Sequence, residues 1–346
     1  MFRLVYSQKD TKASSFIIND VNKNIYINNE SNVILIDDEY NLKEYDYHLN
    51  SRVTFTLNGN VWVANLNTGN TTIYNQGNIP IKTIGFIASS SRDIKNFSTE
   101  VFIYPKIYLN KDFKNPIYAK ILKSDFNIIE NYNSNLGLNG IYLVINDDSF
   151  ISKSREEITL FNFKNEIIWE TSFSELIKSE DAFLYDKVVN IESKIFFNVA
   201  GSSNGGLFCV DSQNGVIIKK YSGFSRPIFQ DEDCLFTTDY ENILCKIDSN
   251  TLEMKKWNAD ELVKKNGFDN IHDHRCAAKN GLFYFTQTLG DNKAKFGVLD
   301  FDKKELTYKY EFETKNGGIS SIQVSEDRIF IHTQDNTLHI FEKIGR

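Results

Sequence analysis

Apolar positions along this chain fall in short runs, many alternating with polar residues, and turns rich in Asn, Asp and Gly separate them. That alternation is the period of a strand with one buried face. Residues 205–221, GGLFCVDSQNGVIIKKY, show the pattern in full: an apolar run ends on Asp211, a Gln-Asn-Gly turn follows, and a second run ends on Tyr221. The same grammar recurs at 31–47 (SNVILIDDEYNLKEYDY), 59–75 (GNVWVANLNTGNTTIYN), 241–257 (ENILCKIDSNTLEMKKW) and 294–310 (AKFGVLDFDKKELTYKY), with a looser copy at 158–170. In each copy the first strand ends on Asp or Asn (Asp37, Asn65, Asn162, Asp211, Asp248, Asp300) and the second closes on an aromatic (Tyr47, Tyr74, Trp169, Tyr221, Trp257, Tyr310).

The acidic or amide residue sets the turn, because its short side chain accepts backbone N–H groups two residues on. Gly69 and Gly215 supply the positive φ that tight turns need. A further strand precedes most copies, at 24–28, 53–57, 140–145, 194–200, 234–239 and 281–287, and 328–334 leads into 337–343. These strands start at roughly 40–50-residue intervals, the period of one four-stranded blade, except for a shorter step between 24 and 53. Strands at this period with almost no helix between them predict an all-β chain: a single β-propeller domain over 1–346. Seven blades are expected, with six and eight the alternatives. The strand 2–7 (FRLVYS) is expected beside 337–343, closing the ring and removing a free edge. The terminal aromatics are expected between blades.

Two segments depart from the strand pattern. Ser172 and Glu175 in 171–180, and Asn258 and Glu261 in 257–265, stand at capping-box spacing, which predicts two short helices. Polar insertions are expected at 88–100, 109–116, 146–157 and 201–206.

Composition narrows the class. The chain has 346 residues, 14% of them aromatic and four of them proline, enough to fill a large core and too few prolines for a Pro-rich linker. Net charge is −7 with no Lys/Arg run, which excludes a nucleic-acid footprint and suits a basic protein partner. No apolar stretch is long enough for a bilayer span or a secretory leader, so a cytoplasmic setting is expected. Cys209, Cys234, Cys245 and Cys276 have no CxxC spacing. With Tyr240-Glu241 as a two-residue turn, Cys245 faces Phe236 rather than Cys234, so free thiols are expected.

The unit resembles the blades of the PQQ-like and WD-repeat-like propeller superfamily, carried here by VDSQNGVIIKKY, IDSNTLEMKKW, ANLNTGNTTIY and NFKNEIIWE. The resemblance implies the fold and leaves function open. There is no Trp-Asp dipeptide of the WD-repeat type, and no adjacent cysteine pair of the quinoprotein dehydrogenases, so no cofactor is expected.

The most chemical-looking stretch is His272-Asp273-His274-Arg275-Cys276, where a strand would put His272, His274 and Cys276 on one face as half of a zinc site. A third and fourth ligand are not evident, since His48, His332 and His339 are remote in sequence. His272 and His274 are therefore weak metal candidates, and no metal, cofactor or catalytic residue is assigned. Asp231-Glu232-Asp233 and Asp147-Asp148 lack the spaced ligands of a calcium loop and read as solvated turns. The expectation is a non-catalytic protein-binding propeller. Its sharper form is a bacterial immunity protein that neutralises a toxin by direct binding, suggested by the Asn/Lys/Ile-rich, Pro-poor composition. The alternatives are a lactonase- or glycosidase-type enzyme with its site at the central channel, or a scaffold in a larger assembly.

Overall fold

The computed structural model describes the chain apart from residues 1, 12–15, 20, 30, 31, 46, 48, 49, 90–99, 106–117, 133–140, 203, 225, 272–274, 289–293, 345 and 346. Among the described residues the strands form eight four-stranded antiparallel sheets, the architecture of a β-propeller. The first sheet is Phe16–Ile18, Ile25–Asn28, Val33–Ile36 and Leu42–Tyr45; the second is Ser51–Leu57, Asn60–Asn65, Asn70–Tyr74 and Pro80–Ile84. The third is Ala88–Ser89, Glu100–Pro105, Tyr118–Leu122 and Ile128–Tyr132; the fourth is Leu143–Asn146, Ser149–Lys153, Glu157–Asn162 and Ile167–Ser172. The fifth is Phe183–Ile191, Lys194–Ala200, Gly205–Asp211 and Ile217–Ser222; the sixth is Phe229–Asp231, Cys234–Thr238, Leu244–Asp248 and Met254–Trp257. The seventh is Ala277–Lys279, Leu282–Thr288, Ala294–Asp300 and Glu305–Glu311. The eighth joins Ile319–Val324, Arg328–Thr333 and Leu338–Lys343 to the chain's first strand, Phe2–Gln8, in the register Phe2↔Lys343 to Gln8↔Leu338. That pairing of the first and last strands is the expected one.

Eight sheets is one more than the expected seven and lies within the six-to-eight range. The third sheet occupies a stretch with no copy of the repeat. The short step at 24–53 has a register cause: Ile25–Asn28 is the second strand of its sheet, whereas Ser51–Leu57 is the first of the next. Five copies of the repeat are third and fourth strands, but 59–75 is a second and third strand. The expected insertion at 146–157 contains a strand instead. Ser149–Lys153 has Ser149, Phe150, Ile151 and Ser152 buried, and Ser149 Oγ donates to Asn146 Oδ1, so that hydroxyl is satisfied without water.

The turn chemistry follows the sequence closely. Each of the six repeat Asp/Asn residues accepts two backbone N–H bonds on Oδ1. Asp211 takes them from Gln213 (2.8 Å) and Asn214 (3.1 Å), and Asp248 from Asn250 and Thr251 (both 2.9 Å). Asn65, Asp211, Asp248 and Asp300 put the left-handed residue four positions on (Gly69, Gly215, Leu252, Lys304); Asp37 and Asn162 put it three on (Tyr40, Asn165).

Two compact units divide the chain: Met1–Ala13 with Lys153–Thr159 and Ile168–Arg346, and Ser14–Ser152 with Leu160–Ile167. In the larger, apolar side chains fill the gaps between successive sheets. Leu207 and Cys209 of the fifth sheet meet Leu235 and Cys245 of the sixth; Phe236 of the sixth meets Phe283 and Phe301 of the seventh; Phe296 of the seventh meets Phe341 of the eighth. In the smaller, Tyr47 packs on Val61 and Val63, and Phe55 and Trp62 pack on Ala119 and Ile121.

The repeat aromatics cross these gaps as expected. Trp169 Nε1 donates to Ser212 O (3.2 Å), Tyr221 Oη donates to Leu252 O (2.8 Å), and Trp257 lies edge-on to Phe301 with ring centres 6.1 Å apart. Each reaches the turn of the following sheet, so the turn is a packing surface as well as a reversal.

Helix α1 (Phe173–Ile177) leads into the fifth sheet and α2 (Asp260–Lys265) into the seventh, where helices were expected. Neither makes the capping-box bonds: Ser172 Oγ lies 2.9 Å from Ser174 Oγ, and the N-cap of α2 is Ala259. Their C-terminal carbonyls are served by lysines of the next sheet. Lys220 Nζ donates to Leu176 O (3.1 Å), Lys309 Nζ to Asn266 O (3.3 Å), and Lys295 Nζ to Gly267 O.

In the sixth sheet Cys245 pairs with Thr237, not Phe236, because the turn runs through Asp239 to Ile243 with Asn242 left-handed. Cys234 faces Asp248, and none of the four cysteines is in a disulfide.

Candidate functional site

The weak metal candidates His272 and His274, and His48, lie outside the described residues. Among the described residues no group of three or more His, Cys, Asp or Glu side chains is placed to hold a metal ion. Burial pushes the Cys209 thiol up to about 11 and Cys245 to about 12, so both are unreactive core groups at neutral pH.

His332 and His339, remote from 272–276 in sequence, stand on neighbouring strands of the eighth sheet, in the pairs His332↔Leu338 and Ile331↔His339. His339 Nδ1 is 2.9 Å from Ser7 Oγ on the first strand, and its Nε2 is 3.0 Å from Thr333 Oγ1. Thr333 Oγ1 donates to Asp335 Oδ1 (2.6 Å), and Asp335 Oδ2 accepts from Thr337 Oγ1 (3.0 Å) and Asn316 Nδ2 (2.9 Å). His332 Nε2 bonds Thr11 O. Burial lowers the pKa of His339 to about 4, with Asp335 opposing and His332 adding to the shift. Burial lowers His332 too, against the Thr11 carbonyl and Asp335. Burial alone would raise Asp335, but donors from Thr333, Asn316 and Thr337 outweigh it and hold the carboxyl low.

With His339 neutral, Ser7 Oγ–H donates to Nδ1 and Nε2–H donates to Thr333, giving one directional chain from an exposed serine to a carboxylate. A conjugate acid near 4 makes His339 a weak base at pH 7, so the chain is poorly suited to activating Ser7. Its evident work is to fasten the first strand and Thr11 to the last two strands and the turn between them. Sequence reasoning missed it because Ser7 and His339 are brought together only by the closing sheet.

The acidic turns form a second group. In the larger unit, the hairpins between first and second strands are linked: Asp231 accepts the backbone N–H of Asn280 (2.9 Å) and Gly281 (2.6 Å), and Asn280 Nδ2 donates to Glu326 O (3.4 Å). The turns between third and fourth strands lie beside them, as Ser212 N–H bonds Ser193 O and Ser249 N–H bonds Asp233 O (both 2.8 Å). Asp231 is thus a buried tie between sheets, whereas Glu192, Glu232, Asp233, Glu253 and Glu326 are exposed on this edge. Glu192 and Glu232 both have a φ of 51°, so the backbone holds these hairpin tips in one defined conformation. Asp147 and Asp148 are exposed in a hairpin of the fourth sheet, as expected of solvated turns.

No helix among the described residues is long and apolar enough to cross a membrane. No protein-family model matches the chain, and no curated protein matches it. Solved structures do. BamB from Moraxella catarrhalis is similar at 8% identity and TM-score 0.57, over 99% of this chain and 100% of that one. Sqt1 from Saccharomyces cerevisiae is similar at 9% and 0.61, over 98% of both. The computationally designed Ika8 protein is similar at 9% and 0.60, over 97% and 98%. At such identities the likeness is one of fold: these are β-propellers, and the chain has the β-propeller fold.

Proposed function

We propose that the chain is a non-catalytic protein-binding β-propeller domain whose working surface is the acidic hairpin edge of the larger unit. The observation that carries this reading is the exposed set Glu192, Glu232, Asp233 and Glu326, presented on hairpins between first and second strands, of which those of the sixth, seventh and eighth sheets are tied together through the Asp231 and Asn280 side chains. Carboxylates held on rigid turns attract a basic surface without an ordering cost at binding. The partner is accordingly a basic protein domain. In its sharpest form the chain is a bacterial immunity protein that covers a toxin's active site, working in the cytoplasm, where its free thiols are stable.

Affinity capture from the source cell should return one basic protein. The fourfold reversal E192K/E232K/D233K/E326K should lose that partner while unfolding at the wild-type urea concentration. Equal capture by the reversed protein overturns the assignment of the surface. Addition of the chain should abolish the partner's enzymatic activity; undiminished activity overturns the immunity form, and several partners in place of one would favour the scaffold alternative.

A further inference from the structure

The edge of the larger unit opposite the acidic hairpins carries two clefts at equivalent places in the fold. Each lies between the C-terminal end of a linker helix and the third and fourth strands of the sheet that follows. The first, 360 Å³, is bounded by the end of α1 and the fifth sheet. The second, 240 Å³, is bounded by the segment after α2 and the seventh sheet. Strand register makes the comparison residue by residue. Leu207 faces Tyr221 as Phe296 faces Tyr310, so Lys220 stands where Lys309 does, and both donate to carbonyls at the end of their helix.

One position on, the clefts diverge. The seventh sheet pairs Lys295 with Glu311, whose Nζ and carboxylate are 3.8 Å apart. The fifth sheet has Gly206 paired with Ser222 at that place. The second cleft therefore contains its own carboxylate beside its lysines. The first keeps Lys220, adds Lys178 from the end of α1, and among the described residues has no Asp or Glu in its lining. Asp181 is nearby but occupied, accepting from Ser179 Oγ (2.5 Å) and Ser202 N–H (2.8 Å), bonds that bring its pKa to about 2. A Cβ on Gly205 would collide with Tyr240 Oη, so the glycine lets that half-exposed ring lie across the cleft, with an apolar face and a hydroxyl for a ligand.

We propose that the first cleft is a binding site for a carboxylate side chain of an acidic peptide segment, which takes the place that Glu311 fills in the second. The two lysines supply charge and Tyr240 covers the ligand's aliphatic stem. This site is separate from the acidic hairpin edge, and a peptide is favoured over a small acid because the cleft is open and flanked by an exposed aromatic.

The test is fluorescence anisotropy with a labelled (Gly-Glu)3 peptide, and (Gly-Gln)3 as control, at low ionic strength. Wild type should bind the acidic peptide and not the amide one, with affinity falling as salt rises. Ser222→Glu, which installs the missing carboxylate, and Lys178→Glu should each weaken binding at least about tenfold, while Ser222→Ala should leave it unchanged. Lys265→Glu, a change elsewhere on the same edge, should have no effect, and matching thermal unfolding should show all variants folded. Absence of wild-type binding, full binding by Ser222→Glu, or an equal loss in Lys265→Glu would overturn the site. Succinate displacing the peptide with the affinity of the peptide itself would overturn the peptide as its ligand. The fourfold hairpin reversal should leave this binding intact, so the two proposals fail separately.

Discussion

The turns Asn65–Gly69 and Asp211–Gly215 are built alike. In each, Oδ1 accepts the N–H groups two and three residues on, and a glycine at φ 71° accomplishes the reversal. Their surroundings differ. A Cβ on Gly69 would meet nothing within 4 Å, whereas one on Gly215 would lie 2.7 Å from Trp169 Cδ2 and 2.8 Å from Cγ. The difference comes from strand position. Asp211–Gly215 joins a third to a fourth strand, where the preceding sheet's closing aromatic arrives; Asn65–Gly69 joins a second to a third. Local chemistry makes the turn, and its place in the sheet decides whether that turn also carries a core contact.

The contrast between the two turns can be challenged in measurable steps. Trp169→Ala should be the most damaging change, about 3–5 kcal/mol by urea unfolding, because it empties the gap above the turn and leaves Ser212 O without its donor. Gly215→Ala should cost about 2–4 kcal/mol, combining left-handed strain with overlap on the indole. In the Trp169→Ala background that cost should fall to about 1 kcal/mol, the remaining backbone part. An undiminished cost in the double mutant would show that the indole contact is irrelevant. Asp231→Ala removes the acceptor of two backbone N–H groups from the neighbouring sheet and should cost about 1–3 kcal/mol.

The closing sheet sharpens the same contrast through pH. His332 and His339 bind protons less readily folded than unfolded, so the unfolded chain takes up more protons below the ordinary histidine value of 6.5. The His339 contribution is complete above about pH 6.5, declines as the pH falls toward 4 and changes little below that, and His332, shifted in the same direction, adds to the decline below 6.5. The urea midpoint should follow this course, and His339→Gln should flatten it; an equally steep fall in that variant would place the acid sensitivity elsewhere. The smallest effect is expected at Gly69→Ala, about 1 kcal/mol from φ alone. A cost equal to that of Gly215→Ala would abolish the distinction between the two turns.

Features governed by neighbours in the chain were legible in the sequence. Asp211 and Asp248 make the bonds their position implies, because a short Asx side chain reaches only N–H groups a few residues along its own turn. The closing aromatics were legible too, since a large ring repeated at one place in every unit has to be packed by its neighbours. Other features resisted. The strand Ser149–Lys153 looked polar because the partner of Ser149 is internal and three residues back. The displacement of the 59–75 copy by one strand leaves its residues unchanged in kind, so only the sheet order reveals it. The candidate sites were the least legible: His272 and His274 drew attention as close neighbours in sequence, whereas His339 finds Ser7 332 positions away.

By itself, then, the sequence determined the blade, its turn chemistry, the aromatic that packs between units, and the first strand's place beside the last. These depend on contacts within a few residues or on a periodic pattern. Tertiary structure alone decided the number of sheets, the histidine latch, the tie from Asp231 to Asn280 and Gly281, and the contrast between a cleft containing Glu311 and one that presents Ser222. Each of these depends on which strand edges become neighbours. That choice is set by burial summed over whole sheets, and no single stretch of chain contains it.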